Sequence, residues 1–292
     1  MDQWLSDEIK ELLFTPCLSI SGMIGQKLDN RRRLGQEMDE RALTELLVDS
    51  LDTCSTENVW SNVIGLLRDQ QISLATHVAK STREHITGAD IGFTINRSIR
   101  TTRMTSSTTY AVLVQCKRID SDGNVADFFH EVAGSKQKQS TLMLDITPSS
   151  FYFLFIPPSL VEIYCTVEPM AFCQAQPGCS CAVWNIGSFA YSHQSMPFLS
   201  VQQKAQAVGV LVVPALAVEA QRNRGKSAAI QDILPNCMPL WYWFGELLIP
   251  AFIGDRRSDV IRIAQSGDNR KRENLESDIS VRYSVNVSVS NE

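Results

Sequence analysis

The residues best suited to chemistry are an acid, an amide and a lysine placed where two apolar segments begin or end. Asp90 follows a glycine-containing turn and directly precedes residues 91–96, whose composition is typical of a strand. Gln115 and Lys117 come at the end of the strongly apolar segment 109–117, and because they are two residues apart they share one face of a strand. If the two strands pair as a hairpin, the start of the first lies beside the end of the second, and the three side chains meet.

An acid, an oxygen donor and a lysine on one sheet edge are the groups that phosphodiester hydrolysis needs. The carboxylate of Asp90 and the amide oxygen of Gln115 are ligands for a hard cation such as Mg²⁺. Such an ion polarises a phosphate and lowers the pKa of an attacking water. Lys117 would stabilise the developing charge or orient that water. Each residue also has an explanation that involves no chemistry. Asp90 could be an ordinary turn residue, Gln115 a glutamine that hydrogen-bonds within the sheet, and Lys117 an exposed lysine at the end of a strand.

The elements that must position these side chains follow from the hydropathy pattern. An amphipathic helix is predicted over 38–51, with Asp39 as its N-cap, and a strand over 74–80 precedes the hairpin. A mostly helical segment over 124–145 is expected to follow the hairpin. The aromatic and β-branched segment 151–157 is predicted to form a further strand.

The two ends of the chain carry patterns of their own. Residues 2–14 have apolar residues at helical spacing, and Pro16 is expected to end that helix. Residues 208–218 are predicted as a strand and 240–254 as an apolar helix. Residues 279–289 alternate between apolar and polar, which predicts a strand with one buried face, completing a sheet in this chain or in a partner chain.

The sequence TGADIGF…YAVLVQCKR, with a helix before it, resembles the restriction-endonuclease-like nucleases of the PD-(D/E)XK superfamily. Their pattern has an aspartate at the start of one strand and a (D/E)-x-K motif on the next. Here Asp90 matches the aspartate and Lys117 the lysine, while Gln115 matches the Q-x-K variant of bacterial restriction and antiphage defence nucleases. The resemblance covers about residues 38–157. It implies an α/β fold with a restriction-endonuclease-like core, in which helices flank a mixed central sheet of four strands, and a C-terminal extension that ends in a strand.

The resemblance also implies the composition of the site. The catalytic set would be Asp90, Gln115, Lys117 and a helix glutamate, and Asp90, Gln115 and the main-chain carbonyl of Cys116 would bind Mg²⁺, or Mn²⁺ in its place. Gln115 removes one negative charge from the usual ligand set, which favours weaker or single-ion binding.

Three glutamates are candidates for the helix acid. Glu40 is favoured because it lies near the start of the 38–51 helix, by analogy with the resembling nucleases. Glu45 is five residues further along and faces another direction, and Glu84 lies six residues before Asp90. Glu45 and Glu84 could equally be solvated surface acids.

Basic residues that could contact nucleic acid must be local, because the net charge of the chain is −5. By resemblance, Lys136 and Lys138 on the helix after the hairpin are predicted to contact phosphates together with Arg118. Further candidates for a phosphate-tracking surface, which could equally be ordinary solvated residues, are Arg97, Arg100, Arg103, Arg222, Arg224 and Lys226.

The site and the resemblance together predict a metal-dependent endonuclease that hydrolyses phosphodiester bonds, with DNA favoured as its substrate and antiphage defence as its setting. The alternative is a nuclease-like fold that has lost catalysis and serves as a nucleic-acid-binding or assembly subunit. The length after residue 160 and the alternating tail leave room for a homo-oligomer or a regulatory partner.

Composition places the chain among ordinary globular proteins. Its 292 residues are 44% hydrophobic and 20% charged. The acidic N-terminus lacks the features of a signal peptide, and no apolar segment reaches about 18 residues, so a cytoplasmic protein without a membrane partner is expected. The expected organisation is an N-terminal helical segment (1–37), a nuclease-like core (38–230), and a C-terminal helix and tail strand (231–292) packed on the core.

Other chemistries find little support. The chain has no GxxxxGK[ST], GxGxxG, HExxH or GxSxG motif. Four of its eight cysteines cluster between Cys165 and Cys181, but their spacing does not fit the usual zinc pairs. A zinc-stabilised interaction module on these cysteines is a third and weaker hypothesis, and disulfides are not expected.

Overall fold

The computed structural model describes residues 7–54, 59–80, 87–100, 105–120, 123–125, 137–160, 209–220, 228–229, 233, 236–266 and 281–291. Within these ranges the helices are α1 (Asp7–Arg33), α2 (Glu40–Leu51), α3 (Ser61–Asp69), α4 (Gln139–Ile146), α5 (Ala215–Glu219) and α6 (Ser258–Ala264), with a π-helix at Tyr242–Leu248. The strands are β1 (Ile72–Lys80), β2 (Ile91–Arg100), β3 (Thr105–Arg118), β4 (Asn124–Val125), β5 (Ser150–Phe155), β6 (Val210–Pro214), β7 (Ala228–Ala229), β8 (Met238–Pro239) and β9 (Tyr283–Asn291).

A seven-stranded mixed sheet forms the centre of the fold, with the strand order β1-β9-β2-β3-β5-β6-β8. β2 and β3 form the predicted hairpin, paired from Ile91 with Val114 to Arg100 with Thr105. β9 runs parallel to β2 and β5 runs parallel to β3, whereas the other neighbours are antiparallel. The prediction of a mixed sheet flanked by helices is confirmed, but the expected number of four strands is too small.

Helices cover both faces of the sheet, because its strands direct apolar side chains into two separate cores. One core lies under α1, α2, α3 and the π-helix, and it includes Val114 and Cys116 of β3. The other core lies under α4, α5 and α6, and it includes Leu113 and Ile119 of the same strand. Odd-numbered residues at the end of β3 therefore face the second core, and even-numbered residues face the first.

The hairpin and α6 approach each other closely at Gly92, the second residue of β2. A Cβ atom at this position would lie 2.4 Å from the carbonyl oxygen of Ala264. Only glycine fits without displacing the helix. This contact fixes the beginning of β2 against α6, two residues after Asp90.

The alternating tail forms β9, and this strand lies inside the sheet between β1 and β2. Val285, Val287 and Val289 are buried in the first core. The predicted tail strand is therefore confirmed, and the sheet that it completes belongs to this chain.

The prediction that Pro16 ends the first helix is wrong, because α1 continues through it to Arg33. A proline inside a helix removes one main-chain hydrogen bond and costs about 3 kcal/mol. Here Leu13 and Cys17, on either side of the proline, and Ile20 further along are all buried. Each large side chain buried in this way contributes about 1.5–3 kcal/mol, which offsets the cost of the proline.

Two further predictions need correction. In the segment 124–145, predicted as mostly helical, the first two residues form β4 and pair with β7, and Gln139–Ile146 form α4. Residues 126–136 lie outside the described ranges. In the predicted strand 208–218, β6 ends at Pro214 and the next residues form α5. Proline suits this junction because its fixed φ is compatible with the start of a helix.

Most other predicted elements are confirmed. The helix over 38–51 appears as α2, and the Asp39 side chain caps it by accepting the N–H of Arg41. The strands over 74–80 and 151–157 appear as β1 and β5, and the segment 240–254 contains the π-helix. None of the described helices is long and apolar enough to cross a membrane.

Candidate active site

The register of the β2–β3 hairpin brings Asp90 and Gln115 together. Ile91 pairs with Val114, so Asp90, one residue before the strand, lies opposite Gln115. The main-chain N–H of Asp90 donates to the carbonyl of Val114 over 2.9 Å. Gly88 turns the chain toward this position with a φ of +74°, a left-handed conformation that favours glycine. The predicted juxtaposition of these two side chains is confirmed.

The Asp90 carboxylate is buried, with 4% of the residue exposed. Its Oδ2 atom accepts a hydrogen bond from Gln115 Nε2 over 2.6 Å and another from the main-chain N–H of Cys116 over 3.1 Å. Gln115 Nε2 also donates to the Cys116 carbonyl oxygen over 3.1 Å. A carboxylate oxygen, an amide and a main-chain carbonyl thus converge on one point at the end of β3.

The other end of the Gln115 amide is the anomaly of the site. Its Oε1 atom is buried and has no hydrogen-bond partner among the described residues. A buried polar oxygen without a partner costs about 1–3 kcal/mol, and native proteins keep few such atoms. The Oε1 end of the amide is therefore able to accept a hydrogen bond or to coordinate a cation.

Lys117 lies on the same face of β3 as Gln115, as predicted, but the expectation that it is an exposed strand-end residue is wrong. Only 7% of the residue is exposed. Its Nζ atom is 3.6 Å from Oε1 of Glu40, at the start of α2. The lysine is buried because the start of α2 covers the end of β3, a packing that the local sequence does not reveal.

Glu40 is the helix glutamate that the structure brings to Lys117. Its Oε2 atom accepts the main-chain N–H of Arg118 over 3.1 Å. Burial raises the pKa of Glu40; the Lys117 ammonium opposes this shift and the nearby charge of Asp90 adds to it. A carboxylate whose pKa is shifted toward neutrality is better suited to accept and release protons near pH 7.

The other two candidate glutamates do not take this position in the described structure. Glu45 accepts hydrogen bonds from Lys80 Nζ over 2.7 Å and from the Tyr283 hydroxyl over 3.0 Å. These two donors lower the pKa of Glu45, and they hold it at the junction of α2 with β1 and β9. Glu84 lies outside the described residues.

The guanidinium of Arg118, a predicted phosphate contact, is held by three groups of this chain. It lies 2.8 Å from Glu37, 3.0 Å from Asp120 and 3.2 Å from the carbonyl oxygen of Met38. These contacts fasten the segment before α2 to the end of β3. A phosphate would have to compete with two carboxylates for this side chain, so phosphate binding by Arg118 stays a prediction.

The remaining basic candidates lie apart from this cluster or outside the described ranges. Lys138 is the N-cap residue of α4 and is partly buried. Arg97 donates to the carbonyl of Pro250 over 3.0 Å, and Arg100 is exposed at the end of β2. The candidates outside the described residues are Lys136, Arg103, Arg222, Arg224 and Lys226.

Arg282 is a neighbour of Asp90 that the sequence did not reveal. Its Nη1 atom lies 3.4 Å from Asp90 Oδ1. Arg282 precedes β9, and it reaches the site only because β9 pairs with β2. The sequence showed only that Arg282 lies in the alternating tail, and this pattern does not reveal which strands β9 pairs with.

Tyr152 is a second neighbour that was missed. It pairs with Gln115 across the parallel strands β3 and β5 and is fully buried. Burial raises the pKa of its hydroxyl, and the charges of Glu219 and Asp90 raise it further. The hydroxyl is therefore neutral at all physiological pH values.

A cavity of about 390 Å³ opens over Lys117 and Glu40. Its lining is charged, and the acidic residues outnumber the basic ones. The lining residues are Glu37, Met38, Asp39, Glu40, Lys117, Arg118 and Asp120. Lys117 and Arg118 at the end of β3 are therefore reached through a polar and mainly acidic opening, whereas Asp90 and Gln115 do not line it.

The donor atoms around Asp90 suit a hard cation. The carboxylate of Asp90, the amide oxygen of Gln115 and the carbonyl of Cys116 are all oxygen ligands, the kind that Mg²⁺ and Mn²⁺ accept. A half-turn of the Gln115 amide exchanges Nε2 with Oε1 and directs the unpaired oxygen toward Asp90. No group of three His, Cys, Asp or Glu side chains with metal-binding geometry occurs in the described ranges. The candidate set contains only one such side chain, together with two neutral oxygens.

The zinc hypothesis concerns residues 165–181, which lie outside the described ranges. The four described cysteines, at positions 17, 54, 116 and 237, are free. Burial raises the pKa of the Cys116 thiol, which lies in the first core, on the opposite face of β3 from Gln115. Cys116 therefore contributes main-chain atoms to the site, whereas its thiol belongs to the core.

Comparison with known proteins found no significant match to a family model, a curated protein or a solved structure. The case for any activity therefore rests on the residues around Asp90.

Proposed function

We propose that this protein is a metal-dependent endonuclease that hydrolyses phosphodiester bonds of DNA. Asp90, Gln115 and the Cys116 carbonyl would hold a Mg²⁺ or Mn²⁺ ion, which polarises the scissile phosphate and lowers the pKa of the attacking water. The resemblance to Q-x-K nucleases is consistent with this chemistry, with a restriction-endonuclease-like arrangement of β2, β3 and β5, and with a role in antiphage defence.

One observation carries the proposal: Gln115 Oε1 is buried without a hydrogen-bond partner in the described structure, next to a buried carboxylate. A structural glutamine in a sheet would gain stability by pairing both ends of its amide. Asp90 and Cys116 already engage the nitrogen end. A half-turn of the amide would bring the unpaired oxygen to the side of Asp90 and the Cys116 carbonyl, where a bound cation would become its partner.

Lys117 and Glu40 supply the remaining groups. The Lys117 ammonium, held close to Glu40, is available to stabilise the negative charge that develops on a phosphate. Glu40, with its raised pKa, is suited to accept a proton from the attacking water. Both residues line one cavity, through which water and substrate would reach them.

The test is cleavage of supercoiled plasmid DNA by the purified full chain in Mg²⁺, in Mn²⁺ and in EDTA. We expect cleavage with either ion, none in EDTA, and a loss of at least about 100-fold in Asp90→Ala and Lys117→Met. Methionine replaces the buried lysine stem without leaving a large cavity.

Matched controls exist within the chain. Lys80 is also a strand-end lysine paired with a glutamate of α2, but its partner is Glu45 and it is half exposed. Asp69 is an exposed acid at the end of α3. Lys80→Met and Asp69→Ala should cleave like the wild type. Equal cleavage by the wild type and Asp90→Ala would contradict the proposed site.

A second candidate function is a catalytically inactive subunit that binds nucleic acid or assembles with a partner. The acidic lining of the cavity and the engagement of Arg118 by Glu37 and Asp120 weigh against cleavage at this site, because both disfavour a scissile phosphate close to Lys117. Such a subunit would bind labelled duplex DNA equally well in EDTA and in Mg²⁺, and Asp90→Ala would leave that affinity unchanged. The nuclease proposal expects weaker binding in both cases.

A further inference from the structure

Arg282 forms an ion pair with the residue that would bind the metal. Its Nη1 atom is 3.4 Å from Asp90 Oδ1, and its side chain is 32% exposed, against 5% for Asp90. The buried carboxylate thus has a partly exposed counter-charge. This arginine lies outside the β2–β3 hairpin, directly before β9.

Main-chain hydrogen bonds on both sides hold Arg282 in place. The N–H of Val281 donates to Ser266 Oγ over 2.9 Å, and the N–H of Tyr283 donates to the carbonyl of Asp90 over 2.8 Å. The second bond starts the parallel pairing of β9 with β2. The backbone at Arg282 is therefore fixed beside Asp90, while its side chain is partly exposed.

The two ion pairs, Asp90 with Arg282 and Glu40 with Lys117, balance in charge without a metal ion. Asp90 and Glu40 contribute two negative charges, and Lys117 and Arg282 contribute two positive charges. A divalent cation at Asp90 would add two positive charges, so two cations would then share one buried carboxylate. Their mutual repulsion is strong at this range because burial limits screening by solvent.

We propose that Arg282 competes with a divalent cation for Asp90, so that the tail strand sets the metal concentration at which the site fills. This inference rests on the proposed metal-binding role of Asp90. Without the ion, Arg282 neutralises the buried carboxylate; when the ion binds, the guanidinium loses its partner and turns toward solvent. The coupling is reciprocal, so removing the arginine must strengthen metal binding.

The test is the affinity of the free protein for Mn²⁺, measured by isothermal titration calorimetry without nucleic acid. We expect Arg282→Gln to bind Mn²⁺ at least about fivefold more tightly than the wild type, the low end of typical couplings between sites. Arg282→Lys keeps the charge and should stay near the wild-type affinity. Arg68→Gln removes an equal charge from the exposed surface of α3 and should change nothing.

Asp90→Ala separates the inference from the proposed function. If Asp90→Ala loses Mn²⁺ binding while Arg282→Gln binds as weakly as the wild type or more weakly, the competition is refuted and the metal site stands. If Asp90→Ala binds like the wild type, the metal site and the competition both fail. Binding by Arg282→Gln alone, with none by the wild type, would support the competition in its strongest form.

A measurement on the wild-type protein covers the case in which Arg282→Gln does not fold. The arginine Nε–H signals in a ¹H–¹⁵N spectrum report the surroundings of each guanidinium, and Arg282→Lys assigns the signal of Arg282 by its disappearance. Titration with Mg²⁺ should shift that signal toward the position of a solvated arginine. A signal that does not move while Mg²⁺ binds at Asp90 would overturn the proposal.

Discussion

Gln115 stands where the resembling nucleases most often carry a carboxylate, and its neutral amide is what allows it to lie 2.6 Å from Asp90. Two ionised carboxylates at that distance would repel each other strongly in a buried site. The glutamine therefore stabilises the buried carboxylate without an ion, although the proposed metal would have one negative charge fewer to bind. The Arg282 ion pair acts in the same direction, because it also neutralises Asp90 without a metal.

Gln115→Glu should make the protein depend on divalent ions for stability. We expect a loss of about 1–3 kcal/mol in EDTA, because a second acid is buried against Asp90. Mn²⁺ should then raise the melting temperature of the variant more than that of the wild type. Thermal unfolding in EDTA and in Mn²⁺ measures both effects, with the exposed Gln36→Glu as the control. Equal responses of Gln115→Glu and the wild type to Mn²⁺ would argue against a metal at this position.

Glu40 and Glu45 lie on the same helix, and their pKa values are shifted in opposite directions. Folding raises the pKa of Glu40, so the folded state disfavours the ionised carboxylate. The wild type therefore loses stability as the pH rises from the ordinary pKa of 4.5 through the raised pKa of the folded state. Glutamine does not ionise, so the stability of Glu40→Gln relative to the wild type should increase as the pH rises through this range. The change should stay below about 1 kcal/mol, because the Glu40 side chain is 35% exposed and solvent screens its charge.

Glu45→Gln is the matched control with the opposite sign. The pKa of Glu45 is lowered, so its contribution is present above pH 4.5 and is lost as pH falls through the lowered value. This variant should be less stable than the wild type at pH 7, and the difference should vanish in acid. Urea unfolding of both variants between pH 3 and pH 8 tests the pair. Parallel pH profiles for the two variants would show that the positions do not differ in this way.

At the scale of elements, two close contacts fix the hairpin that carries the site. α6 packs against β2 at Gly92, and the turn at Gly88 lies against Gln139 at the start of α4. Two features exclude a side chain at Gly88. Its positive φ favours glycine, and a Cβ atom there would lie 2.9 Å from the carbonyl oxygen of Gln139. Helix packing on the second face of the sheet therefore determines where Asp90 lies.

Gly92→Ala should destabilise the protein by about 1–3 kcal/mol or more, because the added methyl overlaps Ala264 and forces α6 away from the sheet. Gly65→Ala is the matched control. Gly65 lies inside α3 with no atom close to the added methyl, and the change should stabilise the helix by about 0.5–1 kcal/mol. Chemical denaturation gives both values. A neutral Gly92→Ala would mean that α6 is not held this closely to β2.

At the scale of the whole molecule, β9 joins β1 to the hairpin that carries the site. It hydrogen-bonds β1 on one side and β2 on the other, so it is an interior strand of the sheet. Without it, β1 would have no partner strand in the described sheet, and the buried valines of β9 would leave a gap in the first core. The tail is therefore a structural part of the sheet as well as the source of Arg282.

A chain lacking residues 281–292 should lose its cooperative unfolding transition, because an interior strand cannot be removed from a sheet without exposing both neighbours. A synthetic peptide of residues 281–292 should restore the transition when it is added in excess, and a scrambled peptide should not. Circular dichroism melts of the truncated chain, alone and with each peptide, measure this. An unchanged melting temperature after truncation would show that β9 contributes little to the stability of the sheet.

The sequence by itself determined the elements that form through interactions between residues close together in the chain. The β2–β3 hairpin, α2 with its Asp39 cap and the alternating tail strand could be predicted because apolar periodicity and capping act over a few residues. The approach of Asp90 and Gln115 followed from hairpin register alone.

Only the tertiary structure decided the rest, because contacts between distant segments depend on which surfaces bury each other. Packing carried α1 through Pro16 and buried Lys117 under the start of α2. It also chose Glu40 over Glu45 as the partner of that lysine. The insertion of β9 beside β2 brought Arg282 to Asp90 across 192 positions of the chain, a pairing set by the burial of the valines of β9 between its two neighbours and by no pattern near either residue.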